Sequence, residues 1–276
     1  MSVFERLFKR PATIRFAVPT NGGTRFLRML DCDGRDFVAR QVASGGWRNF
    51  EPPMPEIFFR GCQDHGGLVL DVGANTGFYA LLAASARRDT RIIAFEPAPQ
   101  VKPLLDRNVS LNGFRDRITT VPIALSDQPG ARELFIPLQN HGLVESSASL
   151  EREFKRQHSA SIRVETDTID GFLRTHGHKR LPAVSIIKID VEGHEAAVIR
   201  GAATTIREHR PLLFVEVLPR ADLDGLTAFL HDNAYRDVPL KRPAEQNAGV
   251  AVTFDPEAWN HLFIPAERVA NMNWDT

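Results

Sequence analysis

The chain has 276 residues and sets 34 Lys+Arg against 34 Asp+Glu, for a formal net charge of zero. That neutrality removes the bulk attraction on which general nucleic-acid binders depend, and 43% hydrophobic with 25% charged residues excludes a disordered, collagenous or coiled-coil chain. Only Cys32 and Cys62 are present, so no disulfide framework is expected and the expected setting is the reducing cytoplasm.

No run approaches the roughly 18 consecutive apolar residues of a membrane span, and Met1–Thr13 mixes Phe and Leu with charges, unlike a secretory signal. Residues 1–28 carry six basic side chains and one acidic one. They read as a solvated helix face whose strongest membrane role is a weak peripheral contact with an anionic surface. Residues 1–60 form an expected N-terminal cap of strands or irregular chain, in which Ile14–Val18, Arg25–Leu30 and Asp36–Val42 alternate with Gly and Pro, and one helix falls near Glu56–Arg60.

Residues 61–276 are the expected main domain. Leu68–Val72 is a short apolar run beside glycines, the pattern of a strand buried on both faces. A helix over Phe78–Arg87, a strand at Arg91–Phe95, a helix over Val101–Asn112 and a strand at Ile118–Leu125 follow. Further on come a strand at Val184–Ile189, a helix over His194–Glu208, a strand at Pro211–Val217 and a helix over Leu223–Asn233. Ala248–Phe254 and Trp259–Ile264 are expected to close the sheet. Strands alternating with helices of this length predict an α/β, doubly wound, mostly parallel sheet. A β-rich insertion over about 127–183 interrupts the rhythm, with Glu133–Ile136 and Ile162–Glu165 as an added strand pair. A stretch that long in a compact domain points to a substrate-side role.

Three motifs carry chemistry. Asp71-Val72-Gly73-Ala74-Asn75-Thr76-Gly77 follows the first buried strand, where ligands of doubly wound sheets bind. It is not the dinucleotide pattern, because Asn75 stands where G-x-G-x-x-G needs glycine, and Asp71 points instead to a ligand bearing a cation. Glu96, 19 positions beyond Gly77 and followed by the strand-stopping Pro97, suits the two ribose hydroxyls of a nucleoside. Together these motifs fit S-adenosylmethionine, a nucleoside with a cationic amino-acid tail. The third motif, Lys188-Ile189-Asp190-Val191-Glu192-Gly193-His194-Glu195, ends a buried strand in closely spaced ionisable groups facing the same crevice.

Leu68–Gly77, Phe95-Glu96-Pro97, Ala124-Leu125-Ser126-Asp127, Ile187–Gly201 and Leu213–Val217 resemble the FkbM family of S-adenosylmethionine-dependent methyltransferases, over roughly residues 50–265. The resemblance implies a class I methyltransferase (Rossmann-like) fold, conversion of S-adenosyl-L-methionine to S-adenosyl-L-homocysteine, and O-methylation of a sugar, glycan or natural-product hydroxyl. It places Asp71, Gly73, Ala74, Asn75, Thr76, Gly77, Glu96, Pro97 and Asp190 at the cofactor, with Ser126 and Asp127 near the adenine.

Methyl transfer to an alcohol needs alignment and removal of a proton. Asp190, Glu192 and His194 are the expected catalytic groups, with His194 the candidate base because it titrates near neutrality. The alternative groups Asp190, Glu192 and Glu216 around Mg²⁺. Trp47, Phe50, His141 and Ser147 are candidates for lining an acceptor pocket. Nitrogen methylation of protein or nucleic acid is a second reading, disfavoured because the fourth strand ends in Asp190-Val191-Glu192-Gly193 rather than Asn/Asp-Pro-Pro-aromatic. A non-catalytic binding subunit is the third.

Overall fold

The computed structural model describes residues 12–20, 22–137, 147–154, 158–176, 181–241 and 248–271. The basic stretch before residue 12, and His141 of the expected acceptor loop, lie outside the described residues.

The chain opens with an antiparallel hairpin, β1 (Thr13–Thr20) and β2 (Gly23–Leu30). Helix α1 (Phe37–Gly45) starts where Asp36 Oδ1 accepts the Ala39 N–H at 2.7 Å, a side-chain cap of the kind worth about 1 kcal/mol. The apolar stretch at Asp36–Val42, expected as irregular or extended chain, is thus helical. Helix α2 (Met54–Asp64) follows, longer than the helix expected near Glu56–Arg60.

Then come β3 (Leu68–Val72), α3 (Phe78–Ala86), β4 (Arg91–Phe95) and α4 (Lys102–Leu111), close to their expected bounds. The expected strand at 118–125 divides. β5 (Ile118–Val121) joins the main sheet, whereas β6 (Ala124–Leu125) joins a second sheet with β7 (Gly130–Pro137) and β8 (His158–Asp167). Pro122, with no N–H for a ladder, stands at the break. The second sheet, in the order β6-β8-β7, contains the strand pair expected of the insertion.

Helix α5 (Ile169–His176) returns the chain to β9 (Val184–Ile189). The single helix expected over 194–208 is two, α6 (Glu195–Arg200) and α7 (Ala203–His209). A Cβ at Gly201, between them, would collide with the Ser126 carbonyl, so the glycine allows the second sheet to approach. After β10 (Leu212–Glu216) and α8 (Leu223–Asn233), the edge is built by β11 (Tyr235–Pro239) and β12 (Asn260–Pro265). Of the described residues in Ala248–Phe254, only Gly249 bridges, to Asp237 of β11, so that expected strand is replaced. The charges of Arg236 and Asp237 hide β11 from hydropathy, yet Asp237 is buried and paired with His261 Nδ1 at 2.8 Å.

The main sheet runs β5-β4-β3-β9-β10-β12-β11, with β12 antiparallel to its neighbours and the other pairs parallel. Successive side chains alternate between two cores. Val69, Ile186, Leu212 and Phe214 face α1–α4 and the hairpin, while Leu70, Ile187, Leu213 and Val215 face α5–α8. Strand order reverses between β3 and β9, which opens a crevice beyond their carboxyl ends.

Candidate active site

The crevice is shaped by the turn after β3. Gly73 (φ +77°), Asn75 (φ +50°) and Gly77 (φ +95°) take left-handed conformations. A Cβ at Gly73 would overlap the Asp190 carbonyl, so only glycine lets the β3 and β9 turns meet at the switch point. The Gly73 and Ala74 N–H groups donate to the Phe95 carbonyl at 3.1 and 2.9 Å. Thr76 is buried and its carbonyl accepts from Asn108 Nδ2 at 2.8 Å, while Asn108 Oδ1 accepts the Leu30 N–H at 2.8 Å. One asparagine of α4 therefore ties the hairpin to the turn.

Glu96 lies across from it. Its Oε2 accepts the Asn75 N–H at 2.9 Å and its Oε1 the Ala98 N–H at 2.8 Å. Burial pushes its carboxyl up to about 7. Gly73, Asn75, Glu96, Pro97 and Asp190 line one cavity, beside the apolar wall of Phe95, Ile123, Ala124 and Leu125. Glu51, Glu192 and Glu216 line it too, so five carboxylates and no Lys, Arg or His contribute to its described wall.

Other expected cofactor residues sit behind this wall. Asp71 is fully buried and neither carboxylate oxygen has a hydrogen-bond partner; Lys188 Nζ is 3.8 Å away. Burial lifts Asp71 to about 6. It lies beneath the turn and is not among the residues that line the cavity. Ala74, Thr76 and Gly77 likewise shape the turn without lining the cavity. Ser126 and Asp127, expected near the adenine, point elsewhere: Ser126 is buried against His194, and Asp127 pairs with Arg132 and Arg200, each at 3.3 Å. The preceding Ile123–Leu125 takes their place along the wall.

Lys188 is buried beneath the crevice and pairs with Asp190 Oδ2 at 2.9 Å. Burial alone would lower its pKa, but Asp190, Asp71 and Glu51 together hold it above the ordinary lysine value. Its Nζ lies 4.9 Å over the Tyr79 ring, and the Tyr79 hydroxyl donates to Glu51 Oε2 at 2.9 Å. Burial, then the Asp190 charge, lifts Glu51 to about 7. Glu51 and Tyr79 lie outside every sequence motif, and only the fold brings them to Lys188.

Glu216, at the end of β10, has a buried Oε2 with no partner. Burial, followed by the charges of Asp190, Glu192, Glu195 and Glu51, raises its pKa well above the ordinary carboxylate value. Glu216, Glu192 and Ser147 are the residues shared between the cofactor-side cavity and a neighbouring groove of about 810 Å³. That groove also has Arg220, Leu218 and the half-exposed Trp259 in its wall. Glu192 itself is held at φ +60°, a costly conformation for a side-chain-bearing residue.

His194 departs from its expected part. Its Nδ1 meets Glu151 Oε1 at 2.6 Å and its Nε2 meets Ser126 Oγ at 2.9 Å, so both ring nitrogens are engaged. The order Ser126–His194–Glu151 mimics a hydrolytic triad, but Ser126 is fully buried and its hydroxyl is closed to a substrate. His194 joins Glu151 of the insertion to the β9 turn and also borders the neighbouring groove. The alternative Mg²⁺ grouping is not assembled: among the described residues no set of three or more His, Cys, Asp or Glu has metal-ligand geometry, and Asp190 Oδ2 pairs with Lys188. Trp47 is buried against Phe59, with ring centroids 5.4 Å apart, so it serves the core; Phe50 packs edge-on to Phe78 yet borders the cavity.

A seven-stranded sheet of this order, a glycine turn after its first central strand and an acid after the next define a class I methyltransferase. A sequence model described as the methyltransferase FkbM domain matches residues 71–236. The chain belongs to the FkbM family of S-adenosylmethionine-dependent methyltransferases. It is 27% identical over 171 residues to methyltransferase sdnD of Sordaria araneosa, covering 53% of this chain and 66% of that one. It is 29% identical over 182 residues to the 2-O-methyltransferase NoeI of Sinorhizobium fredii (strain NBRC 101917 / NGR234), covering 59% and 72% respectively. The crystal structure of an FkbM methyltransferase from Methylobacillus flagellatus KT is similar at a TM-score of 0.47 and 17% identity, over 72% of this chain and 43% of that one. This chain thus spans under two thirds of both sdnD and the Methylobacillus protein.

The residues present suit the family's cofactor. A cavity walled by five carboxylates and no described cation asks for a positively charged ligand, and S-adenosylmethionine brings a sulfonium and an ammonium. Glu96 and the Gly73–Asn75 turn would hold the ribose side, Ile123–Leu125 and Phe95 the adenine, and the acids at the mouth the cationic end.

Proposed function

We propose that the chain is an S-adenosylmethionine-dependent O-methyltransferase acting on a hydroxyl of a sugar, glycan or natural-product acceptor. One observation carries the reading: the acid-walled cavity meets, at Ser147, Glu192 and Glu216, a groove of mixed apolar and charged lining large enough for an acceptor. The name of NoeI, a 2-O-methyltransferase, supports oxygen as the target.

The cofactor, when bound, supplies an electrophilic methyl group. The chain's own residues then have three tasks. Gly73, Asn75 and Glu96 orient the nucleoside. Lys188 fixes the Asp190 carboxylate at the carboxyl end of β9, so that this charge stays where the cationic end of the ligand belongs. Glu216, in the wall of both cavities at their junction, takes the proton of an acceptor hydroxyl. Burial and the neighbouring acids raise the Glu216 pKa, and a more basic carboxylate accepts that proton more readily than an ordinary one.

Calorimetry with S-adenosylhomocysteine, joined to radiolabelled methyl transfer over saccharide and polyketide-type alcohols, tests this reading. Binding with transfer to oxygen is expected. Transfer only to amines, or no binding by the folded protein, overturns it.

A further inference from the structure

We propose that the groove under the β1–β2 turn, at the opposite end of the sheet from the catalytic carboxylates, is a binding site for a phosphate group. It encloses about 1190 Å³ and is walled by Arg25, Arg87, Arg88 and Arg117, with Asp89 the one acid among its described lining residues. Asp89 is already taken, since Arg87 donates to both of its oxygens at 2.9 and 2.8 Å.

The other three guanidiniums lack a carboxylate partner among the described residues, yet two are held in place. Arg25 and Arg117 both lie over the ring of the buried Phe114, at 4.8 and 4.7 Å from its centroid. Arg117 Nη1 also donates to the Arg87 carbonyl at 2.7 Å. Arg91, at the start of β4, brings a further positive charge nearby and spends its own donor on the Asp116 carbonyl. Asp116 borders the adjoining cavity and leaves the groove uncompensated.

Such convergence of like charges is an anomaly in a chain of zero net charge. Half-burial of Arg117, then the charges of Arg25, Arg91 and Arg88, pull its pKa below the ordinary arginine value. Guanidiniums fixed by ring stacking present planar donor forks that match the oxygens of a phosphate, and an anion seated between them turns repulsion into charge-assisted hydrogen bonds. Phe26, 52% exposed beside the groove, offers an apolar contact next to the charge. Phosphate chemistry has two sources here, a soluble phosphorylated molecule or the headgroup of an anionic lipid. The site stands apart from the methyl-transfer reading and does not depend on it.

The test uses the full chain with two probes at about 0.15 M salt: inorganic pyrophosphate by calorimetry, and phosphatidylglycerol vesicles by co-sedimentation. R25Q and R88Q are the variants, because neither side chain donates a hydrogen bond within the described protein, and their melting temperatures and S-adenosylhomocysteine affinity serve as fold controls. Binding of either probe, weakened about tenfold or more by each variant, supports the site. Pyrophosphate alone identifies a soluble ligand; vesicle binding that F26S also weakens identifies a lipid headgroup. If neither probe binds, or if both variants bind as the parent does, the proposal is overturned.

Discussion

Glu216 shows how far a residue's chemistry is set by its surroundings. A carboxylate at a strand end is unremarkable in sequence; here it is buried, unpartnered on one oxygen and placed where two cavities meet. Glu216→Gln keeps the shape and removes the proton acceptor. It should leave S-adenosylhomocysteine affinity within about threefold while lowering kcat by about 10²-fold or more. The parent's rate should rise with pH through a pKa above the ordinary carboxylate range, and the variant should lose that limb. An unchanged pH–rate profile in the variant would assign the proton to another group. His194 carries the opposite expectation. With both nitrogens engaged by Ser126 and Glu151, His194→Gln should cost stability and acceptor KM but preserve the pH profile of kcat.

The elements are joined by a few side chains that answer the backbone of two partners at once. Asn108 is the clearest, taking the Leu30 N–H and giving to the Thr76 carbonyl. Asn108→Ala orphans both buried groups and should destabilise the fold by about 1–3 kcal/mol in a denaturant titration. Because Thr76 belongs to the turn after β3 that we propose holds the cofactor, S-adenosylhomocysteine affinity should fall in parallel. An equal loss of stability with unaltered affinity would show that the hairpin steadies the core and not the turn. The alternation along β3, β4, β9 and β10 was legible because each is a short apolar run with turn residues after it. The division at Pro122 and the replacement of Ala248–Phe254 by β11 were not. They depend on which sheet a strand finds, and in β11 on Asp237 being hydrogen-bonded to His261, a partner 24 residues away.

At the level of the whole molecule, acids gather at one end of the sheet and, among the described residues, arginines without a carboxylate partner at the other. Glu51 and Glu96 both stand near 7 in the folded protein, above the ordinary value of 4.5. A raised carboxyl favours the protonated fold, so its contribution is fully present below about 4.5 and is lost as the pH climbs through about 7. The ligand-free protein should therefore melt at lower temperature at about pH 8 than at about pH 5.5. Glu51→Gln, uncharged at both, should narrow that difference in paired thermal scans. An identical difference in the variant would mean that Glu51 is already neutral or solvated. A cationic cofactor in the same cavity should raise the melting temperature most at the alkaline end, where the acids are charged.

The sequence by itself determined the α/β order, the glycine turn after β3, the acid after β4 and the carboxylate-rich end of β9, because these are local patterns: hydrophobic period, backbone permissiveness and chemistry at a strand's end. Tertiary structure alone decided which charges meet. Asp71, read as a ligand contact, lies buried 3.8 Å from Lys188, since β3 and β9 are neighbours and bring the two side chains together. His194, read as a base, became a clamp because the insertion folds back to present Glu151. Glu51, Tyr79 and the shared position of Glu216 had no signal in sequence spacing. Electrostatic roles depend on distance and burial, and both are set only when segments far apart in the chain pack against one another.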